Sequence, residues 1–154
     1  MKRTIALLLA VGALALTGCS VTQDGAKSET QKSAIESVFA QRARLEAENG
    51  PAGLVSKQGL PRLMAIDVRN CPADFRSAWF DYLVQVQNLH TRAERVAMFA
   101  TAAGKPATDA PSLVKFAVTN PRLGEYLLGA LGRSDEAWNK LERTAMNYGV
   151  LPER

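Results

Sequence analysis

Residues 72–103 read PADFRSAWFDYLVQVQNLHTRAERVAMFATAA, and this stretch decides the fold. Between Pro72 and Gly104 there is no glycine or second proline to interrupt a helix. Apolar residues recur at alternating spacings of four and three, which place them on one helical face: Phe75, Trp79, Tyr82, Val86, Leu89, Ala93, Val96 and Ala100. The pattern therefore predicts one helix about 45 Å long.

The ends of this long helix are marked by proline and glycine. Pro72 suits the first helical position, where its missing N–H would have no partner in any case. Gly104-Lys105-Pro106 stops the helix. Four more apolar residues widen its apolar surface and predict contacts with several neighbours: Phe80, Leu83, Val84 and Met98.

A helix is also predicted on the N-terminal side. Residues 33–36 have the spacing of a capping box, and Asn49-Gly50-Pro51 ends the helix that follows. Residues 52–70 are punctuated by Gly53, Gly59 and Pro61, so we expect mostly an ordered loop there.

Three further helices are predicted on the C-terminal side. Asp109 or Ser112 caps a helix running to Thr119, and residues 120–121 start another that ends at Gly132. Residues 134–136 begin the last helix, which ends near Gly149. The sequence therefore predicts an all-α fold, a small bundle of about four or five helices with one long central helix.

The N-terminus has the pattern of an export signal. Lys2 and Arg3 are followed by an uncharged apolar stretch over residues 5–16. As a helix this stretch reaches about 18 Å, which is too short for a hydrocarbon core of about 30 Å. A removable signal segment over residues 1–18 is the better interpretation, although an ordinary secretory signal with a coincidental cysteine would share these features.

Leu16-Thr17-Gly18-Cys19 resembles the lipobox of bacterial lipoproteins. The resemblance implies that Cys19 receives a thioether-linked diacylglyceryl group and becomes the acylated first residue of the mature chain. Ser20, rather than Asp, follows the cysteine, which by the same resemblance implies transfer to the outer membrane, facing the periplasm. Residues 19–32 are then predicted to be a lipidated flexible tether and residues 33–154 the helical domain.

Charge gives no support for a nucleic-acid partner. Loss of Lys2 and Arg3 with the signal would leave 17 of the 19 basic residues against 15 acidic residues, a net charge of +2. No run of five to eight Lys and Arg residues occurs in the sequence. We therefore expect attachment to the membrane through the lipid on Cys19 and an envelope protein as the partner, with no nucleic acid.

Residues that could carry chemistry are few. His90 is the only histidine, and Cys71 is the only thiol left once Cys19 is acylated, so we expect no metal site and no cofactor. Cys71 precedes a helix start and is flanked by Asp67 and Asp74, a setting that could activate a thiol. We favour the alternative, in which Cys71 is buried, Asp74 stabilises the helix N-terminus and Asp67 a turn.

Cys71-Pro72-Ala73-Asp74-Phe75 has a Cys-Pro-x-Asp-Phe pattern that resembles a segment of uncharacterised bacterial envelope proteins. The resemblance covers under a tenth of the chain and implies no activity. It therefore adds to the envelope assignment without naming a reaction.

Three functions fit these observations. We predict a membrane-anchored, non-catalytic protein-interaction or envelope-assembly factor, because no catalytic cluster is evident. The alternative is a small-ligand or peptide-binding module, with a pocket between helices lined by Trp79, Tyr82, Trp138 and Tyr148. An enzyme using Cys71 is the third hypothesis, and it lacks a base and an orienting partner nearby in sequence.

Overall fold

The computed structural model describes residues 20–107 and 109–151, and within those ranges every regular element is helical. The α-helices are α1 (Ser20–Asn49), α2 (Gly59–Met64), α3 (Ala73–Ala102), α4 (Ala110–Val118) and α5 (Pro121–Met146), and a 3₁₀ helix spans Pro51–Val55. The prediction of a small all-α bundle containing the long helix α3 is confirmed, and α1 is equally long, at 30 residues. None of the described helices has both the length and the apolar character needed to cross a bilayer.

Helix α3 has the predicted extent and the predicted buried face. Pro72 is its N-cap, and Gly104 adopts a positive φ of 70° just beyond its C-terminal end. Of the predicted apolar stripe, seven residues are buried and Ala93 is partly buried. The predicted contacts with several neighbours are confirmed, because α3 packs against α2, α4, α5 and the 3₁₀ helix. Of the four residues expected to widen its apolar surface, only Leu83 is buried, and Phe80, Val84 and Met98 are exposed by 56%, 53% and 71%.

Helix α5 lies antiparallel to α3, and the contact between these two helices is the most extensive one in the described structure. Tyr148, just beyond α5, donates its hydroxyl to Asp74 Oδ1 at 2.8 Å. Further along α3, Asp81 accepts a 2.7 Å hydrogen bond from Lys140 Nζ. Still further, Arg92 Nη1 donates to the Tyr126 carbonyl at 2.8 Å. Residue numbers thus rise along α3 as they fall along α5.

The predicted break in α5 at Gly132 is wrong. The helix is continuous from Pro121 to Met146, and Ser134, predicted to cap a new helix, is a buried residue within it. A glycine inside a helix costs only about 1 kcal/mol relative to alanine. The buried face continues on both sides of Gly132, from Leu127 to Leu141, so packing against α3 outweighs the preference of glycine for a helix end.

Helix α1 extends further toward the N-terminus than predicted. We expected a flexible tether over residues 19–32 and a helix beginning at a capping box, but α1 begins at Ser20 and Ser33 lies inside it. Between Ser20 and Pro51 no proline interrupts the chain, and Ala, Glu, Gln and Lys favour helix. Residues 1–18 and Cys19, where we predict the signal segment and the lipid, lie outside the described residues.

Residues 52–70 also contain more helix than the ordered loop we predicted. The 3₁₀ helix and α2 are joined through Ser56, whose Oγ donates to the Gly53 carbonyl at 2.6 Å and accepts from Gly59 N at 3.0 Å. Gly59 is required here because an added Cβ would lie 2.0 Å from the Gly53 carbonyl oxygen. Leu54, Leu60 and Leu63 are buried, which fixes both short helices against the core.

The core consists of two clusters at opposite ends of the α3–α5 pair. The proximal cluster surrounds Phe75, Trp79 and Leu141 and includes residues of α1, α2 and the 3₁₀ helix. The distal cluster contains five buried residues, Leu89, Val96, Ala117, Leu127 and Ala130, and is covered by α4. Val55, at the end of the 3₁₀ helix, packs against both clusters.

Candidate functional site

Cys71, the thiol considered as a nucleophile, is buried in the proximal cluster with 4% of its surface exposed. Burial raises the pKa of this thiol above its usual value, and nearby Arg76 offsets the rise only in part. A raised thiol pKa keeps the sulfur protonated near neutral pH and therefore poorly nucleophilic. The position of Cys71 thus favours a structural role over a reactive one.

The two carboxylates that flank Cys71 are engaged elsewhere. Asp67 accepts hydrogen bonds from Arg69, which lower the pKa of its carboxyl to about 2. Asp74 Oδ1 accepts from the backbone N–H of Phe75 and from the hydroxyl of Tyr148, both at 2.8 Å. These contacts place Asp67 in a turn and Asp74 at the start of α3.

The four aromatic residues proposed as pocket walls do not converge on one pocket. Trp79 and Tyr82 are buried, and the Tyr82 ring lies 5.1 Å from that of Trp138. Tyr148 is separate, with its hydroxyl on Asp74. A cavity of about 360 Å³ lies beside Trp138, with Phe39 and Arg42 of α1 also lining it. Of the four aromatic residues, only Trp138 lines that cavity.

His90 contacts a backbone carbonyl and a glutamate side chain. Its Nδ1 donates to the Val55 carbonyl oxygen at 2.5 Å, and its Nε2 lies 3.6 Å from Glu94 Oε1. Glu94 also pairs with Lys57 at 3.3 Å. Across the residues described here, no three His, Cys, Asp or Glu side chains are grouped so that they could hold a metal ion.

A groove that the sequence did not reveal lies between the C-terminal half of α3 and the N-terminal half of α5. We call it the distal groove, and its volume is about 360 Å³. It is lined by Arg95, Val96 and Phe99 of α3 and by Arg122, Leu123 and Tyr126 of α5. Phe99 is 59% exposed, whereas Val96 is fully buried at the base.

The turn from α4 into α5 positions the α5 side of this groove. Asp109 caps α4 by accepting from Ser112 N at 2.8 Å, and Ser112 completes a capping box. Asn120 ties the turn to α4 by donating from Nδ2 to the Phe116 carbonyl at 2.8 Å. Gly124 lets the helices approach closely, since an added Cβ would lie 3.0 Å from the Ala117 carbonyl oxygen.

Two arginines of α3 fix Tyr126 in the groove wall. The guanidinium carbon of Arg92 lies 4.2 Å from the centre of the Tyr126 ring, a cation–π distance. Arg95 Nη1 donates to the Tyr126 hydroxyl at 3.2 Å. These contacts satisfy some guanidinium donors but neutralise no charge.

The distal groove is basic because its arginines have no acidic partners. Among the described residues, no carboxylate lies within ion-pair distance of Arg92, Arg95 or Arg122. Several large apolar side chains at this end of the molecule are also exposed: Met98, Phe99, Val114, Val118, Leu128 and Leu131. An aromatic side chain beside uncompensated arginines is a composition typical of protein interfaces.

Comparison with known proteins gives no relative from which to assign this site. No protein-family model matches the sequence. No curated protein and no solved structure is significantly similar to the chain. The function therefore has to be argued from the geometry of the chain itself.

Few features of the sequence indicate the distal groove. Arg95 and Arg122 lie on different helices and never form a basic run, so a search for clustered charge passes over them. One available signal was Phe99, which falls outside the regular apolar stripe of α3 and follows Met98. A single exposed aromatic residue is ordinary on a protein surface, so this signal alone would not have located the groove.

Proposed function

We propose that this protein is a lipid-anchored envelope protein that binds another envelope protein through the distal groove and has no catalytic role. The observation that carries the proposal is the exposed Phe99 beside Arg95 and Arg122, in a groove lined by no carboxylate and with neither arginine in an ion pair among the described residues. Isolated exposed apolar residues are ordinary on protein surfaces. Their combination with unpaired guanidinium groups in a groove is what marks a binding surface.

The setting of Cys71 supports a binding role over an enzymatic one. The thiol is buried and its pKa is raised, and the neighbouring carboxylates are engaged by Arg69 and Tyr148. Substitution of Cys71 by alanine should therefore preserve both folding and the cellular phenotype. A folded Cys71→Ala variant with the phenotype of a gene deletion would contradict the non-catalytic role.

The cavity beside Trp138 is the observation in favour of a small-ligand module. Its charged lining residues are Arg42 and Glu36. Arg42 Nη1 pairs with Glu46 at 2.6 Å, and the same guanidinium lies 3.9 Å from the centre of the Trp138 ring. Glu36 Oε1 lies 4.0 Å from Lys32 Nζ. The groups that would bind a ligand are thus satisfied within the chain, which makes this function the weaker candidate.

The anchoring half of the proposal is tested by replacing Cys19 with alanine. In cells fed a fatty-acid probe, the unaltered chain should incorporate label, and the Cys19→Ala variant should stay unlabelled as a precursor or a soluble form. Label on the alanine variant would contradict anchoring through Cys19.

The interaction half is tested by photo-cross-linking in the bacterium that encodes the protein. A benzophenone amino acid placed at Phe99 should form a discrete adduct, and the same probe at Phe80 should not. Phe80 is a matched control, because it lies on the same helix with 56% of its surface exposed against 59% for Phe99. Equal yields at the two positions, or no adduct at either, would contradict a partner at the distal groove.

A further inference from the structure

We infer that the distal groove takes an acidic amphipathic helix of its protein partner. An apolar side chain of that helix would lie between Phe99 and Leu123, and its carboxylates would pair with Arg95 and Arg122. This inference rests on the proposed function and adds the chemistry of the partner.

The charged residues that line the distal groove are two arginines, neither of them in an ion pair among the described residues, and no carboxylate. Other described arginines, such as Arg44, Arg133 and Arg143, also make no ion pair. Elsewhere, Arg42, Arg62 and Arg69 each bind a carboxylate, at 2.6 Å, 2.7 Å and 2.7 Å. Arg95 and Arg122 stand on opposite walls of the groove without such a partner. Guanidinium groups bind carboxylates in a bidentate, directional manner, so two of them across a groove select an acidic ligand.

The acidic residues at this end of the molecule do not fill that role. Glu94 pairs with Lys57 and lies next to His90. Asp109 is committed to the cap of α4, where hydrogen bonds from Ser112 lower the pKa of its carboxyl. Glu125, one turn after Arg122, makes no ion pair within the described part of the chain. None of these carboxylates lies within ion-pair distance of Arg95 or Arg122, so both guanidinium groups remain able to bind a carboxylate of a partner.

The shape of the groove favours a helix as the occupant. Its walls are two antiparallel helices, its base is the buried Val96, and Phe99 stands at its rim. An amphipathic helix binds such a groove by inserting apolar anchors at helical spacing. Flanking glutamates on the inserted helix would then lie level with the two arginines.

The direction of α1 argues against a membrane as the occupant. Phe39 contacts Phe75 with ring centres 5.9 Å apart, and Arg42, further along α1, bonds to Tyr82, further along α3. The two helices therefore run in the same sense, and the N-terminus of α1 lies at the end opposite to Phe99. With a lipid on Cys19, the distal groove would face away from the anchoring membrane.

The test uses the mature chain without its lipid and a labelled sixteen-residue helical peptide with leucines on one face and glutamates beside them. A matched peptide carries glutamine in place of each glutamate. By fluorescence anisotropy, the glutamate peptide should bind about tenfold or more tightly than the glutamine peptide, as expected when charged hydrogen bonds are lost. Its affinity should also fall as salt is raised.

Variants locate the binding. Arg122→Glu should weaken binding of the glutamate peptide about tenfold or more, because one attractive contact becomes repulsive. Arg44→Glu is the control, since Arg44 is exposed on α1 and distant from the groove. Arg122 makes no ion pair or hydrogen bond in the described structure, so its replacement should leave the melting curve unchanged. Equal effects of the two variants would overturn the inference.

Two further outcomes separate the possible failures. Sedimentation of the chain with phosphatidylglycerol vesicles, abolished by Arg122→Glu and without peptide binding, would identify a lipid surface and overturn the acidic helix. Absence of peptide binding together with Phe99-specific cross-linking would overturn the acidic chemistry alone. If cross-linking at Phe99 also fails, the proposed function is overturned with it.

Discussion

The two ends of the α3–α5 pair are made from the same helices, yet they bury very different amounts of apolar surface. At the proximal end, α1, α2 and the 3₁₀ helix cover the pair, and Phe75, Trp79 and Leu141 are fully buried. At the distal end, the nine-residue α4 is the main cover, and Phe99 and Leu128 remain exposed. The larger number of covering elements thus gives the proximal end the larger core.

Among the described residues, ion pairs to arginine occur at the proximal end only, although not every proximal arginine makes one. Arg42 and Arg62 bind glutamates of α1, whereas Arg44 at the same end and Arg95 and Arg122 at the distal end bind none. A region with a small core and uncompensated charge contributes less to folding and retains surface for a partner. The comparison predicts that substitutions at the proximal end alter stability and that surface substitutions at the distal groove alter binding.

The strongest test of this comparison is the replacement of the largest buried side chain. Trp79→Ala should lower the free energy of unfolding by about 3–5 kcal/mol, as buried aromatic-to-alanine changes do. Phe99→Ala should change it by no more than about 0.5 kcal/mol, because the ring is mostly exposed. Urea unfolding followed by circular dichroism measures both. In thermal unfolding of the same variants, a fall in melting temperature of only a degree or two for Trp79→Ala would contradict the position of Trp79 in the core.

A second test compares two leucines of α5, one in each cluster. Leu141 is fully buried in the proximal cluster, and Leu127 is 7% exposed in the distal cluster. Leu141→Ala should lower the free energy of unfolding by an amount at the upper end of the usual range of about 2–5 kcal/mol. Leu127→Ala should lower it by an amount at the lower end, because its neighbours can relax more readily. Hydrogen exchange should likewise show weaker protection around Leu127 than around Leu141. A larger loss of stability for Leu127→Ala than for Leu141→Ala would contradict the stronger packing of the proximal cluster.

A third test uses alkaline pH, to which two groups of the proximal end should respond. Burial raises the pKa of Cys71, and the hydrogen bond to Asp74 raises the pKa of the Tyr148 hydroxyl. A group whose pKa is raised on folding contributes its full stability below the unfolded pKa and loses it as pH rises above that value. For Cys71 the unfolded pKa is about 8.5.

The urea midpoint should therefore fall between about pH 8.5 and 10.5. Cys71→Ala should lessen this decline, and Tyr148→Phe should lessen the part of it at higher pH. Cys71→Ala should also be at least as stable as Cys71→Ser, because a buried, unsatisfied hydroxyl costs about 1–3 kcal/mol. An identical pH dependence in all variants would contradict the assignment to these groups.

The smallest expected effect is a gain in stability on the distal side. Gly132 lies within α5, and an added Cβ would meet no atom within 4 Å. Gly132→Ala should therefore stabilise the chain by about 0.5–1 kcal/mol. Gly59→Ala is the contrasting variant and should destabilise it, because the new Cβ would collide with the Gly53 carbonyl. A loss of stability in Gly132→Ala would mean that α5 bends at this residue in solution.

Local patterns predicted much of the fold. The stripe from Phe75 to Ala100 and the stops at Pro72 and Gly104 gave α3, and Asp109 gave the start of α4, because these signals act within a few residues. Continuity of α5 through Gly132 depends on packing against a helix that precedes it by tens of residues. No local preference carries that information.

The candidate site shows the same limit. The groove exists only because an antiparallel pair brings Arg95 and Arg122 together, and their spacing in sequence matches no motif. Cys71 and the aromatic residues, which the sequence offered as candidate site residues, are chiefly parts of the core. Sequence patterns distinguish the apolar face of a helix from its polar face. They do not show which apolar residues are left uncovered by other helices.

The antiparallel pairing of α3 with α5 also has a consequence for the order of events during synthesis. The buried face of α3 is complete at Ala100, but its partner helix begins only at Pro121 and ends at Met146. Until α5 emerges, Phe75, Trp79 and Val86 have no α5 to pack against, and a nascent chain of this kind is prone to aggregate. We therefore expect folding to begin late, with a requirement for a holding chaperone that ends when Tyr148 reaches Asp74.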